Sequence, residues 1–143
     1  MSKIAVIYWS MSGNTQAMAG AVAQGVAEAG AEVDLLEVSQ IDVESALSYD
    51  KLALGCPAMG AEVLEEAEFE PFFSALENRL GGKKLALFGS YGWGDGQWMR
   101  DWQDRVNQSG GFLLHDEGLM IHETPDEEGL AQCRQLGKDL AAM

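Results

Sequence analysis

Short apolar or β-branched runs alternate along this chain with longer segments of helical period, and Gly, Ser, Asp or Pro marks each changeover. Lys3-Ile4-Ala5-Val6-Ile7-Tyr8-Trp9 is apolar almost throughout, which predicts a first strand buried on both faces. A helix is expected over Asn14 to Ala29, rich in alanine and stopped by Gly30. A second strand is expected over Glu32 to Val38 and a third over Lys51 to Cys56. Pro57 ends that ladder because it has no N–H to donate. The next helix should begin at Glu66 or Glu70 and run to Leu80, with Gly81-Gly82 behind it. Lys84 to Gly89 reads as the fourth strand, Gly96 to Gln108 as a helix, and a fifth strand falls within Phe112 to Ile121. Pro125-Asp126-Glu127-Glu128 opens the last helix, since proline suits a first turn and carboxylates favour the positive helix end.

This alternation predicts an α/β fold, a parallel sheet with helices on both faces. A length of 143 residues suits one such domain from end to end. Ligands of open α/β sheets sit beyond the carboxyl ends of the strands, where strand order reverses. The loops after Trp9, Cys56 and Gly89 are therefore the candidate site.

Charge narrows the partners. Nine Lys and Arg against 23 Asp and Glu give a formal −14, which repels nucleic acid and anionic membranes and steers the chain toward basic proteins. No apolar run approaches the roughly 20 residues of a membrane span, and Met1-Ser2-Lys3-Ile4 shows no leader pattern, so a cytoplasmic protein is expected. Cys56 and Cys133 match no metal spacing and read as small buried hydrophobes. His115 and His122 fall in the fifth-strand region and read as surface or packing residues away from the three loops.

The first loop, Ser10-Met11-Ser12-Gly13-Asn14-Thr15, joins a buried strand to a helix start with three hydroxyls, an amide and a glycine. Backbone N–H groups at a helix N-terminus form an anion site, and the hydroxyls add donors. The lysine of the nucleoside-triphosphate loop is missing, as is the G-x-G-x-x-G pattern of dinucleotide sites, so a terminal phosphomonoester is the better ligand. The same residues also read as an ordinary N-cap cluster. The second loop, Pro57-Ala58-Met59-Gly60-Ala61-Glu62, and the third, Ser90-Tyr91-Gly92-Trp93-Gly94-Asp95, offer a thioether and aromatic rings on glycine-rich backbone that can approach a planar ring closely.

Tyr8-Trp9-Ser10 with Gly13-Asn14-Thr15, Ala58-Met59-Gly60, Glu62-Val63-Leu64-Glu65 and Leu87 through Gly94 together resemble the short-chain flavodoxins of anaerobic bacteria, over essentially the whole chain. The resemblance implies a flavodoxin-like five-stranded parallel sheet of order 2-1-3-4-5 holding one flavin mononucleotide (FMN) non-covalently. It implies a low-potential one-electron carrier, not an enzyme, that is monomeric and meets basic redox partner proteins transiently. Ser10, Ser12, Asn14 and Thr15 would bind the FMN phosphate, helped by the backbone of Met11 and Gly13. Met59 would cover one face of the isoalloxazine and Trp93 the other. Glu62 would accept from the flavin N3–H, Ala58, Ser90 and Gly92 would border the ribityl chain or pyrimidine edge, and the Gly60–Ala61 peptide would lie beside N5. Pro57, Tyr91, Gly94 and Asp95 complete the set as loop neighbours.

Three positions depart from that family. Ser12 stands where Thr is usual, Pro57 where some relatives have a phosphate-touching Ser, and Ala61 where Asp, Ser or Gly is found. If Met59 to Glu62 forms a β-turn, type II geometry demands φ > 0 at Ala61, whereas type II′ asks it only of Gly60. An alanine in the left-handed region costs roughly 1–2 kcal/mol. Glutamates 62, 65, 66, 68 and 70, with no basic residue among them, should set a negative field beside the cofactor. One charge about 10 Å away at an effective dielectric of about 20 opposes an added anion by about 1–2 kcal/mol. The competing readings are an FMN-dependent quinone or flavin reductase, which needs a second pocket, and a receiver domain, which needs strand-end acidic residues that Trp9-Ser10 and Cys56-Pro57 do not supply.

Overall fold

Alternate side chains of the central strands serve two different cores, which is why those strands read as unbroken apolar runs. The computed structural model describes residues 2–143; Met1, where the reading of a leaderless start begins, lies outside the described residues. Along β1 (Lys3–Tyr8), Ile4, Val6 and Tyr8 face one layer and Ala5 and Ile7 the other. After β2 (Glu32–Glu37), β3 (Lys51–Gly55) and β4 (Lys84–Tyr91) repeat the alternation, with Leu52, Leu54, Leu85 and Leu87 on one side and Ala53 and Ala86 on the other.

The helices match that difference in size. α1 (Asn14–Glu28) and α5 (Glu127–Ala142) lie over the alanines, and two glycines bring their backbones together. A Cβ on Gly25 would stand 1.9 Å from the Arg134 carbonyl oxygen, and one on Gly137 2.1 Å from that of Val22. α3 (Phe69–Glu77) and α4 (Gln97–Gln108) cover the leucine side with buried Phe69, Phe73, Trp98 and Trp102. A five-residue α2 (Val43–Leu47), capped by Asp42, is an element the apolar pattern does not announce, being too short to display a period.

Among the described residues the strands of the sheet pair in parallel throughout, in the order β2-β1-β3-β4-β5. The fifth position holds two pieces. β5 (Phe112–Leu113) pairs with the start of β4, and β6 (Leu119–His122) pairs with its end. Between them the chain leaves the ladder, with His115 and Asp116 at φ 63° and 60°. The excursion is anchored to α4: the Gly118 amide donates to Gln103 Oε1 at 2.8 Å, and a side chain on Gly118 would strike Met99. The carboxyl ends of β1, β3, β4 and β6 meet at one edge of the sheet, where the three expected loops converge.

At the opposite edge Lys51 is buried, and its ammonium donates to the carbonyls of Leu140, Ala141 and Met143 at 2.8–2.9 Å. It thus supplies charged donors to the carbonyls at the end of α5, where Leu140 O also accepts from the Met143 amide at 3.2 Å. Lys51→Met should lower the free energy of unfolding by about 2–3 kcal/mol, read from denaturant titration, because buried acceptors then lose a charged donor. An unchanged transition midpoint would mean that water serves those carbonyls equally well.

Candidate functional site

Helices packed antiparallel to the strands of a parallel sheet point their N-termini at the strands' carboxyl edge, where the unpaired amides of each first turn need acceptors. Among the described residues, four of the five α-helices meet a carboxylate at their N-terminus. Asp42 accepts from Ser45 N at 2.7 Å for α2, and Asp126 from Gly129 N at 2.8 Å for α5. Glu65 serves α3 and Glu62 serves α4. α1 is the exception, with no side-chain cap and no acidic residue in its first turn.

The Ser10–Thr15 loop that leads into α1 turns on Gly13, whose φ of 93° suits glycine. Ser10 Oγ accepts from the Gly13 amide at 3.2 Å, while Ser12 and Asn14 line a cleft beside the loop and Met11 stands out at its mouth, 76% exposed. Thr15 turns inward: its hydroxyl is buried and pairs with Ser90 Oγ at 2.9 Å, tying α1 to β4.

The cleft holds about 260 Å³. Pro57, Ala58 and Met59 form one wall, and Ser90, Tyr91, Gly92 and Trp93 the other. Glu123 also lines it, a residue the sequence reading does not single out; it follows β6 with φ 61°, and its amide donates to Tyr91 O at 2.7 Å. The only trace it leaves in the sequence is its place just after the last strand. His122, expected away from the loops, packs its ring 5.0 Å from that of Tyr91, because β6 continues the ladder to the end of β4. His115 lies elsewhere, paired with Asp139 at 2.9 Å beside a separate concavity of about 240 Å³ that shares no residue with the three loops.

Eight residues of the expected set do not line the cleft: Ser10, Gly13, Thr15, Gly60, Ala61, Glu62, Gly94 and Asp95. Asp95 faces α4, its Oδ1 accepting from Arg100 at 2.8 Å. Gly94 turns at φ 78° in the same loop. Ala61 and Glu62 belong to the turn that links Met59 to Val63, whose amides and carbonyls pair reciprocally at 2.9 Å. That turn has positive φ at Gly60 (51°) and Glu62 (56°) and not at Ala61, which excludes the type II geometry weighed from the sequence and spares the alanine the left-handed region. Met59 O is met by the Val63 amide, one residue beyond a four-residue β-turn, and the extra residue carries a second left-handed position at Glu62. The Glu62 carboxylate is directed away from the cleft, accepting from Gly96 N at 3.1 Å and Gln97 N at 3.0 Å. The Gly60 carbonyl accepts from Trp93 Nε1 at 3.2 Å, although the indole is 53% exposed.

The acidic run resolves into separate roles. Glu65 is 7% exposed and accepts from the amides of Ala67, Glu68 and Phe69 at 2.8–2.9 Å, a cap for α3 and not a rim charge. Glu70 is held by both terminal guanidinium nitrogens of Arg105, at 2.7 and 2.8 Å, so its charge is paired by a residue from outside the run. Arg105 also binds Glu77, and its guanidinium lies over the Phe73 ring. Glu66 and Glu68 remain exposed, Glu68 accepting from Trp9 Nε1 at 3.3 Å.

Comparison with known proteins places these features. The flavodoxin family model matches residues 6–137. The chain is 46% identical over 136 residues to a flavodoxin of Clostridium beijerinckii, covering 95% of this chain and 97% of that one. It is 41% identical over 138 residues to a flavodoxin of Megasphaera elsdenii, covering 96% and 98%. The solution structure of the two-electron reduced M. elsdenii flavodoxin superposes with a TM-score of 0.87 at 42% identity, over 98% of this chain and 99% of that one.

Burial pushes the Glu65 carboxyl up, but the amides of Phe69, Glu68 and Ala67 outweigh it and hold its pKa below the usual carboxylate range. Its stabilising contribution is therefore complete above that range and is lost as pH falls through the lowered value. Glu65→Gln should cost about 1–3 kcal/mol of stability at neutral pH, with the gap to the parent closing in acid. A gap that does not change with pH would show that the carboxylate charge is not what holds this turn.

Proposed function

This chain belongs to the flavodoxin family, and we propose that the loops of residues 10–15, 57–62 and 90–95 hold its FMN. It is an electron carrier that binds FMN non-covalently and passes single electrons between redox proteins. One observation carries the assignment of the site: in a chain of formal charge −14, the amide cluster of α1 alone among the five α-helices lacks a carboxylate. A phosphomonoester supplies the missing acceptor, and the negative end of FMN is then the ligand rather than a side chain. The residues fit the rest of the group as well. Hydroxyls and amides gather at one end of the cleft, and Met59, Tyr91 and Trp93 stand at the other, where a flat apolar ring needs walls.

In this reading the backbone of Met11 through Asn14 and the hydroxyls of Ser10 and Ser12 hold the phosphate. Thr15 acts through its buried tie to Ser90. Met59 and Trp93 enclose the ring, and Ala58, Ser90 and Gly92 border the ribityl chain. FMN supplies the one-electron chemistry; the chain orients it, withholds water from its inner faces and leaves an edge at the surface. The chain forms one domain, works as a monomer in the cytoplasm and has no turnover of its own. Its partners are basic proteins met transiently. Among the described residues no helix is long and apolar enough to cross a membrane.

FMN added to the purified chain should bind at least about a hundredfold more tightly than riboflavin, a difference of about 2.7 kcal/mol, in a fluorescence-quenching titration. Equal affinities would remove the phosphate from the loop. Reversing Glu66 and Glu68 to Lys should slow electron transfer to a basic partner at low salt, with the difference fading as ionic strength rises. A rate unaffected at low salt would leave these two charges a role in solubility alone.

A further inference from the structure

The two loops that wall the cleft are cross-tied, each lending a side chain to the backbone of the other. Trp93 Nε1 donates to Gly60 O at 3.2 Å, and Glu62 Oε1 accepts from Gly96 N at 3.1 Å and Gln97 N at 3.0 Å. Gly94 lies between these ties, against the second. A Cβ on Gly94 would stand 2.3 Å from Glu62 Cδ and 2.5 and 2.6 Å from its two carboxylate oxygens, distances at which the atoms overlap. We propose that Gly94 is a positioning residue for the cofactor: the space left by its missing side chain seats the Glu62 carboxylate, whose hold on the N-terminus of α4 sets the spacing of the two walls.

The chemistry of the tie explains its reach. A carboxylate accepting from two amides at a helix N-terminus is a charge-assisted anchor favoured by the helix dipole. Glu62 makes that anchor from a left-handed backbone position, φ 56°, which a non-glycine residue holds only when its surroundings fix it. Trp93 precedes Gly94 directly, so a carboxylate forced out of its seat moves the 59–63 turn and the indole wall together. Gly94 is thus required twice, for its φ of 78° and for the space it leaves. The two requirements are separable. The strain at φ 78° is present whatever residue occupies position 62, whereas the overlap exists only while the Glu62 carboxylate is there.

The inference rests on the assignment of these loops to FMN, and its test is a double-mutant cycle on the full chain. Gly94→Ala should weaken FMN binding by at least about tenfold in the parent, and by less than about threefold when introduced into Glu62→Ala, where the overlap is relieved. The midpoint potential of the bound FMN should move in the same direction in both single variants. In the FMN-free chain, hydrogen exchange at the Gly96 and Gln97 amides should quicken in each single variant and no further in the double variant. If Gly94→Ala does not fold, Glu62→Ala should restore folding to it. Equal losses in both backgrounds, an unaltered affinity in Gly94→Ala, or failure of the double variant to recover would overturn the proposal. A parent that binds no FMN would instead sink the cofactor assignment, and the exchange rates would still decide whether Gly94 seats Glu62.

Discussion

Every helix in this fold delivers a cluster of unpaired amides to one edge of the sheet, and the arrangement of that edge follows from how each cluster is satisfied. Asp42, Glu65, Glu62 and Asp126 answer four of them from within the chain. α1 is answered by none, and its loop carries hydroxyls instead of carboxylates. An apolar ligand would leave these donors unpaired, and a cation would be repelled by them. A phosphate would suit this edge because carboxylates are withheld there in a chain otherwise rich in them.

The same economy governs the acidic run. Two of its five members, Glu62 and Glu65, hold backbone turns, and a third, Glu70, is locked to Arg105. Of the run, only Glu70 has its charge offset by a cation; Glu62 and Glu65 keep theirs while holding backbone, and Glu66, Glu68 and the unexpected Glu123 are exposed. Carboxylates that hold backbone fix the loops, while Glu66, Glu68 and Glu123 stay exposed at the rim. Rigidity matters to an electron carrier because the cofactor's surroundings then reorganise little between redox states.

Packing under the site is equally specific. Gly55 and Gly89 end β3 and approach the end of β4 where a Cβ would overlap the Phe88 ring or the Cys56 carbonyl, and Trp98 Nε1 donates to that carbonyl at 3.1 Å. Cys56 itself is fully buried, and burial raises its thiol pKa well above the ordinary value. The floor of the cleft is therefore close-packed, and its one thiol stays protonated.

By itself the sequence determined five strand positions, four of the helices, the three loops and the hydroxyl-rich turn before α1. Each of these is written in local terms: a period of two or of 3.6, a glycine where φ is positive, a proline where a ladder stops. Only the tertiary structure decided which carboxylates are free. Whether Glu70 is a rim charge depends on Arg105, 35 positions away; whether Glu62 faces the cleft depends on where α4 begins; and Asp95 is turned aside by Arg100. The divided fifth strand and the arrival of Glu123 at the cleft likewise follow from the Gly118–α4 contact, which no short window of sequence contains. Periodicity records which face of an element is buried, whereas the partner of a charge is set by distances in space between residues far apart along the chain.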